Sequence, residues 1–266
     1  MNIKFVESKL QNVEDDAYHK LDLVSSSGIK SFQKSPAHFQ ASKNYVRKPS
    51  KALDLGTLIH CAVLEPEKFK KTYTHFDGDK RTNAYKDFSN LHPTKKIVSS
   101  EDYFLAIELV EQIAKHDVAS NLLSGCLMEK TILFTDEETG LGCKSRFDAI
   151  NVEKGLIVDL KTTEDARPWN FASSCAKYDY HIQQAFYTMA AHSIGMKVDD
   201  FVFIAVEKER PYGIGCYRLS KIDVEQAHMI VRTSLHGFKK CIEDNSWPSY
   251  TSQIVELELP RYKREL

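Results

Sequence analysis

Between residues 130 and 163 the sequence reads KTILFT, DEETG, LGCKSRFDAI, NVEKG and LIVDLKTT, which is three β-rich runs divided by two short turns ending in glycine. Such a stretch folds most simply as an antiparallel meander of three consecutive strands. It commits the chain to a sheet whose apolar positions must be covered. What surrounds the meander supplies the cover. Residues 178–195 (YDYHIQQAFYTMAAHSIG) have helical spacing and end at a glycine suited to a helix C-cap, Gly195; the strands FVFIAVEKE and GIGCYRLS follow, then a helix over about 221–244.

The preceding hundred residues read as mainly helical. Ser25, Ser26 and Ser27 can cap a first short helix, Pro36 can start a second, and 51–64 (KALDLGTLIHCAVL) is a third. A longer helix from about Ser99 takes Phe104, Ile107, Leu109, Val110 and Ile113 as its apolar face. The polar stretch 74–96 reads as a mobile loop. Helices, three strands, a helix, two strands and a helix imply an α/β fold with a central mixed sheet flanked by helices. No linker or repeat divides it, so a single domain over 1–266 is expected, with 1–125 mainly helical and 126–266 the sheet-containing core.

Lys and Arg total 36 against 37 for Asp and Glu, so positive charge for a polyanionic partner would have to be local. The six cysteines, at 61, 126, 143, 175, 216 and 241, contain no CxxC pair, which argues against structural zinc or a redox dithiol. No run of eighteen apolar residues occurs, and Lys4, Glu7 and Lys9 spoil a leader peptide. A soluble cytoplasmic protein, with no membrane partner, is the expectation.

The chemistry is concentrated in the meander. If NVEKG is the hairpin loop and Asn151 opposes Leu156, Asp148 falls opposite Asp159. Side chains that face each other in this way lie roughly 5 Å apart, where two carboxylates call for a cation. Asp159 sits within an apolar run that makes an unpaired charge costly, and Lys161, two residues on, shares its face. Asp, Asp and Lys on one face suit metal-assisted phosphodiester hydrolysis, with Mg²⁺ on the carboxylates. Lys161 then either handles the attacking water or offsets charge in the transition state. On pattern alone a surface salt bridge explains D-x-K better; the apolar flanks and the opposing Asp148 shift the reading toward a metal site.

The ordered set SSSGIKSFQKSPAHF (25–39), LDLGTLIHCAVLEPEKF (53–69), SRFDAI (145–150), VDLKTT (158–163), YHIQQAFY (180–187) and WPSY (247–250) is similar to the nuclease domain of RecE-type exonucleases, in the PD-(D/E)XK, RecB-like superfamily. The resemblance implies that Asp148 and Asp159 are metal ligands, joined by His60 and the backbone carbonyl of Leu160. It makes Lys161 the catalytic lysine and Gln183 and Tyr187 the supporting Q-x-x-x-Y pair. Mg²⁺, with Mn²⁺ as a substitute, is the implied cofactor. The implied activity is 5′-to-3′ digestion of linear double-stranded DNA in a bacterial or phage-infected cell. The 3′ strand would go to a RecT-type single-strand annealing protein, and the enzyme would be a toroidal homotetramer.

Asp159 stands where many such enzymes have Glu, and no proline precedes Asp148. Arg146, on the same strand face as Asp148, is a candidate phosphate contact or a partner for Asp148 or Glu129. Ser26, Ser27 and Lys30 at a helix start are candidates for a DNA phosphate, although the serines serve equally as caps. Glu129 is a possible assisting acid. A restriction-type endonuclease and a non-catalytic DNA-end-binding module remain rival readings, the second disfavoured by the intact Asp148, Asp159, Lys161 and Gln183 set.

Overall fold

The computed structural model describes residues 2–43 and 51–259. Its helical first part runs α1 (Ile3–Glu7), α2 (Asp15–Lys20), α3 (Ser26–Lys34), α4 (Pro36–Lys43), α5 (Lys51–Leu64) and α6 (Pro66–Thr72), then β1 (Tyr73–Phe76), α7 (Asn83–Leu91), β2 (Lys96–Ser99), α8 (Ser100–Lys115) and α9 (Asp117–Leu123). The second part is β3 (Leu127–Thr135), β4 (Gly142–Asn151), β5 (Leu156–Thr163), α10 (Pro168–Lys177), α11 (Tyr180–Ser193), β6 (Asp200–Glu207), β7 (Ile214–Tyr217) and α12 (Lys221–Glu243).

Strands β3 to β7 form one mixed sheet in sequential order. The meander β3–β4–β5 is antiparallel, β6 joins β5 in parallel through α10 and α11, and β7 returns antiparallel to β6. Side chains that alternate along a strand must be buried on two sides when helices cover both faces. In β5 and β6, Ile157, Phe203 and Ala205 pack with Ile29 of α3, Phe186 of α11 and Val231, Leu235 and Phe238 of α12. Their neighbours Val158, Leu160, Val202, Ile204 and Val206 pack with Leu58 and Ile59 of α5 and Ala106, Leu109 and Ile113 of α8. The near-continuous apolar runs of β5 and β6 record this two-sided burial.

The β4–β5 hairpin has the register that NVEKG implies, pairing Asn151 with Leu156, Ile150 with Ile157 and Ala149 with Val158. The Asn151 side chain accepts the Lys154 amide at 3.0 Å, and Gly155 closes the loop with φ +59°. A Cβ at Gly155 would lie 2.6 Å from Asp199 Oδ2 and 2.9 Å from the Lys197 carbonyl, so the loop requires glycine against the β6 approach.

Two readings are corrected. Residues 74–96 are not a structureless loop. Four-residue strands β1 and β2 pair in parallel from Tyr73–Lys96 to Phe76–Ser99, and Thr82 caps α7 between them by accepting the Tyr85 amide. A pairing across some twenty residues leaves no local turn signature, and the polar intervening sequence conceals it. On α8 the buried residues are Ala106, Leu109 and Ile113, while Phe104 is 56% exposed and Ile107 lies at the edge. The stripe at 106, 109 and 113 faces α5 with Val110 packed at its margin, whereas Phe104 and Ile107 fall outside it. Helix α10, not anticipated, begins with Pro168 in its first turn and buries only Phe171 and Cys175. Among the described residues no helix is long and apolar enough to cross a membrane.

Candidate active site

The acidic residues of the meander lie in a row across three strands. Continuing the β4–β5 register by one step sets Asp148 opposite Asp159, where the ladder has ended. In the β3–β4 ladder, Met128 pairs with Ala149 and Lys130 with Phe147, and the open step between them sets Glu129 opposite Asp148. Glu129 is in a left-handed conformation, φ 51°, inside an otherwise extended strand. A non-glycine residue held there costs of order 1 kcal/mol, and such strain concentrates at functional sites. The Leu160 amide, instead of continuing the ladder, donates to Asp148 Oδ2 at 2.8 Å.

Helix α5 brings His60 to this row. Its Nδ1 lies 3.7 Å from Asp148 Oδ2, and one ligand atom each from His60, Glu129 and Asp148 lie within 4.8 Å of one another. This is the single such group of His, Cys, Asp or Glu among the described residues. Burial, the Asp148 charge and the Glu65 charge push the Glu129 carboxyl well above the usual carboxylate range. Burial lowers the His60 imidazole, against the pull of Asp148 and a hydrogen bond with the Leu160 backbone, so the ring stays neutral and able to ligate. Two crowded carboxylates and a neutral imidazole fit a divalent cation that accepts oxygen with some nitrogen.

Asp159 is fully buried and engaged differently. Its carboxylate pairs with the Lys161 ammonium and accepts the Gln183 side-chain amide at 2.6 Å. Burial and the neighbouring Asp148 raise its pKa despite Lys161. Burial disfavours the charged Lys161, but Asp159 and Asp148 outweigh it and the ammonium is held above its ordinary range. Gln183 and Tyr187, one turn apart on α11, share a face as their spacing implies. Tyr187 is buried edge-on against Phe147 at 5.2 Å, with its hydroxyl linked to Gln183. Asp159 therefore borders the His60–Glu129–Asp148 trio and connects it to the lysine.

Arg146 does not neutralise Asp148 or Glu129 by a direct ion pair. It stacks 4.3 Å from the Tyr18 ring, pairs with Asp15 and donates to the Val13 carbonyl at 2.5 Å. Asp15 also meets Lys68 at 3.2 Å, and Lys68 and Arg146 line, with Glu65 and Glu129, a cleft of about 340 Å³. Of the three serines, Ser25 acts as the N-cap, accepting the Gly28 amide at 3.3 Å and bonding Ser27 Oγ at 2.9 Å, while Ser26 opens α3. Lys30 reaches inward to the Tyr178 carbonyl at 2.8 Å and lies 5.5 Å from the Tyr180 ring centre. Burial and the nearby Lys161 bring its pKa down to about 8.

Residues 25–258 match the family described as "PDDEXK-like domain of unknown function (DUF3799)". The chain belongs to this family. Its architecture, a five-stranded mixed sheet between helical layers with the acidic row on consecutive strands, is a PDDEXK-like nuclease fold. Among solved structures it is similar to the crystal structure of a "Putative exonuclease" from Eubacterium rectale, at TM-score 0.63 and 16% identity, over 96% of this chain and 98% of that one. A phage related exonuclease from Haemophilus somnus 129PT aligns at TM-score 0.35 and 13% identity, over 64% of this chain and 92% of that one. No curated protein matches the sequence.

One neighbour of Lys161 was not singled out from the sequence. Tyr180 lies with its ring centre 4.8 Å from Lys161 Nζ, against Phe203 of β6 at 5.9 Å. The signal was available, because Tyr180 precedes Gln183 by three residues and so lies on the same side of α11.

Proposed function

We propose that this DUF3799 protein is a divalent-metal-dependent exodeoxyribonuclease that hydrolyses linear double-stranded DNA in the 5′-to-3′ direction and leaves a 3′ single strand for annealing. The observation that carries the reading is the acidic row Glu129–Asp148–Asp159, with His60 above it and Lys161 paired to its buried end. His60, Glu129 and Asp148 would hold the cation, with the Leu160 carbonyl and Asp159 at its border. When bound, the cation supplies an acidified water and offsets charge on the phosphate.

The chain's own groups do the rest. Gln183 fixes the Asp159 carboxylate by its amide hydrogen bond. Asp159 in turn keeps Lys161 charged and oriented, with 14% of the lysine side chain exposed. The ammonium is placed to orient the attacking water or to neutralise the developing phosphate charge. The apolar sheet on which these groups stand keeps them from relaxing into water, which strengthens each interaction.

The motif order shared with RecE-type exonucleases supports the polarity, Mg²⁺ as the working ion, a RecT-type annealing partner and a toroidal homotetramer acting on DNA ends. Both apolar clusters share one central sheet, which supports residues 1–266 acting as one nuclease domain. Digestion of linear duplex labelled at one 5′ end, beside closed circular DNA, tests the reading. Label released early as mononucleotide with the circle intact is the expected result. Cutting of the circle would replace the exonuclease by an endonuclease.

A further inference from the structure

The turn between α10 and α11 places two tyrosines side by side next to the catalytic lysine. Tyr178 caps α10 and Tyr180 opens α11, and their rings stack with centres 5.8 Å apart and planes 29° from parallel. The intervening Asp179 is held in a left-handed conformation, φ 54° and ψ 45°, which brings two aromatic residues at i and i+2 onto one side. The Lys30 ammonium pins the turn through the Tyr178 carbonyl.

Cations accompany each ring. Lys161 Nζ lies 4.8 Å and Lys30 Nζ 5.5 Å from the Tyr180 ring centre, and Lys177 Nζ lies 5.1 Å from that of Tyr178. The inner ring is backed by Phe171 and Phe203, whereas Tyr178 is 49% exposed. A ladder of stacked rings and ammonium groups thus leads from Lys161 out to solvent, with Asp179 as the one acid in the turn. On α10, Trp169 adds a further ring that is 82% exposed.

We infer that Tyr178, stacked on Tyr180, is a base-stacking platform that receives an unpaired nucleobase of the DNA strand next to the scissile phosphate, with Lys177 meeting a flanking phosphate and Lys30 holding the turn. A nucleobase is the chemistry that fits, because every base presents a π face to a ring and carries an anionic backbone to the adjacent cations. An isolated hydrophobic contact would require neither the three lysines nor the exposure of the outer ring. The platform rests on the nuclease reading for its substrate, but it predicts binding that needs no cleavage.

The test is equilibrium binding of a single-stranded oligonucleotide carrying 2-aminopurine to the full chain in EDTA, for wild type, Tyr178→Ala and Tyr178→Trp. An otherwise identical abasic strand is the control. Wild type is expected to prefer the base-bearing strand and quench the probe. Tyr178→Ala is expected to lose affinity on the order of tenfold, as stacking of one base warrants, together with the quench and the preference. Tyr178→Trp should restore both. Equal affinity and quench in Tyr178→Ala, or no preference over the abasic strand in wild type, would overturn the platform. The nuclease reading fails separately, if wild type binds and quenches but cuts no DNA with Mg²⁺ or Mn²⁺.

Discussion

Glu129→Gln should make the metal-free protein more stable while removing its response to divalent cations. In the structure two carboxylates converge with ligand atoms no more than 4.8 Å apart. At an effective dielectric constant near 20, two full charges at that distance repel by about 3.5 kcal/mol. The real figure is smaller, since Asp148 is partly exposed and the raised pKa of Glu129 leaves it incompletely ionised near neutrality. A gain of about 1–2 kcal/mol in EDTA is expected, which for a chain of this size raises Tm by roughly 2–8 °C. A cation at a hundred times its dissociation constant stabilises the wild type by about 2.7 kcal/mol, and the neutral amide should forfeit most of this. Thermal unfolding of both proteins in EDTA and in Mg²⁺ or Mn²⁺ measures the two effects together. A variant less stable than wild type in EDTA, with an undiminished metal-induced rise, would refute Glu129 as a ligand.

Gln183→Leu removes the amide that holds Asp159 and leaves a buried carboxylate oxygen unpaired, so a loss of about 1.5–3 kcal/mol in denaturant titration is expected, with a lower kcat and an unchanged metal-induced Tm rise. Asp136, 3% exposed, is held by Arg232 and Thr139, which together overcome burial and lower its pKa below 3.8. Its folded pKa lies below its unfolded one, so its contribution is fully present above about pH 5 and lost as pH falls through the folded value. Asp136→Asn should therefore cost about 1–3 kcal/mol at pH 7, with the gap to wild type closing toward pH 3 in urea titrations across pH. Phe203→Ala, beneath Tyr180 and fully buried, should cost about 3–5 kcal/mol by the same assay.

The hairpin register was legible because NVEKG is short and ends in a glycine, the residue that a left-handed turn position accepts without strain; Asp148 opposite Asp159 followed from it. The two-layer cover was legible from the unbroken apolar runs of β5 and β6. Three features were not. The left-handed turn at Glu129 interrupts a strand whose sequence, MEKTILF, carries no glycine or proline to announce it. That local twist brings Glu129 to His60 and Asp148, while Asp159 is drawn to Lys161 and Gln183, a division of labour that strand alternation alone does not contain. The docking of Arg146 against Tyr18, Asp15 and Val13 joins segments some 130 residues apart, beyond any periodic signal. The pairing of β1 with β2 escaped for the same reason.

The most direct measurement is hydrolysis of linear duplex DNA by wild type and by Lys161→Ala, each with Mg²⁺ and with EDTA. Mononucleotide release by wild type in Mg²⁺, abolished by EDTA and reduced by a factor of about 10² or more in Lys161→Ala, is the predicted result. Undiminished hydrolysis by Lys161→Ala, or by wild type in EDTA, would contradict a metal-assisted centre built on Asp148, Asp159 and Lys161.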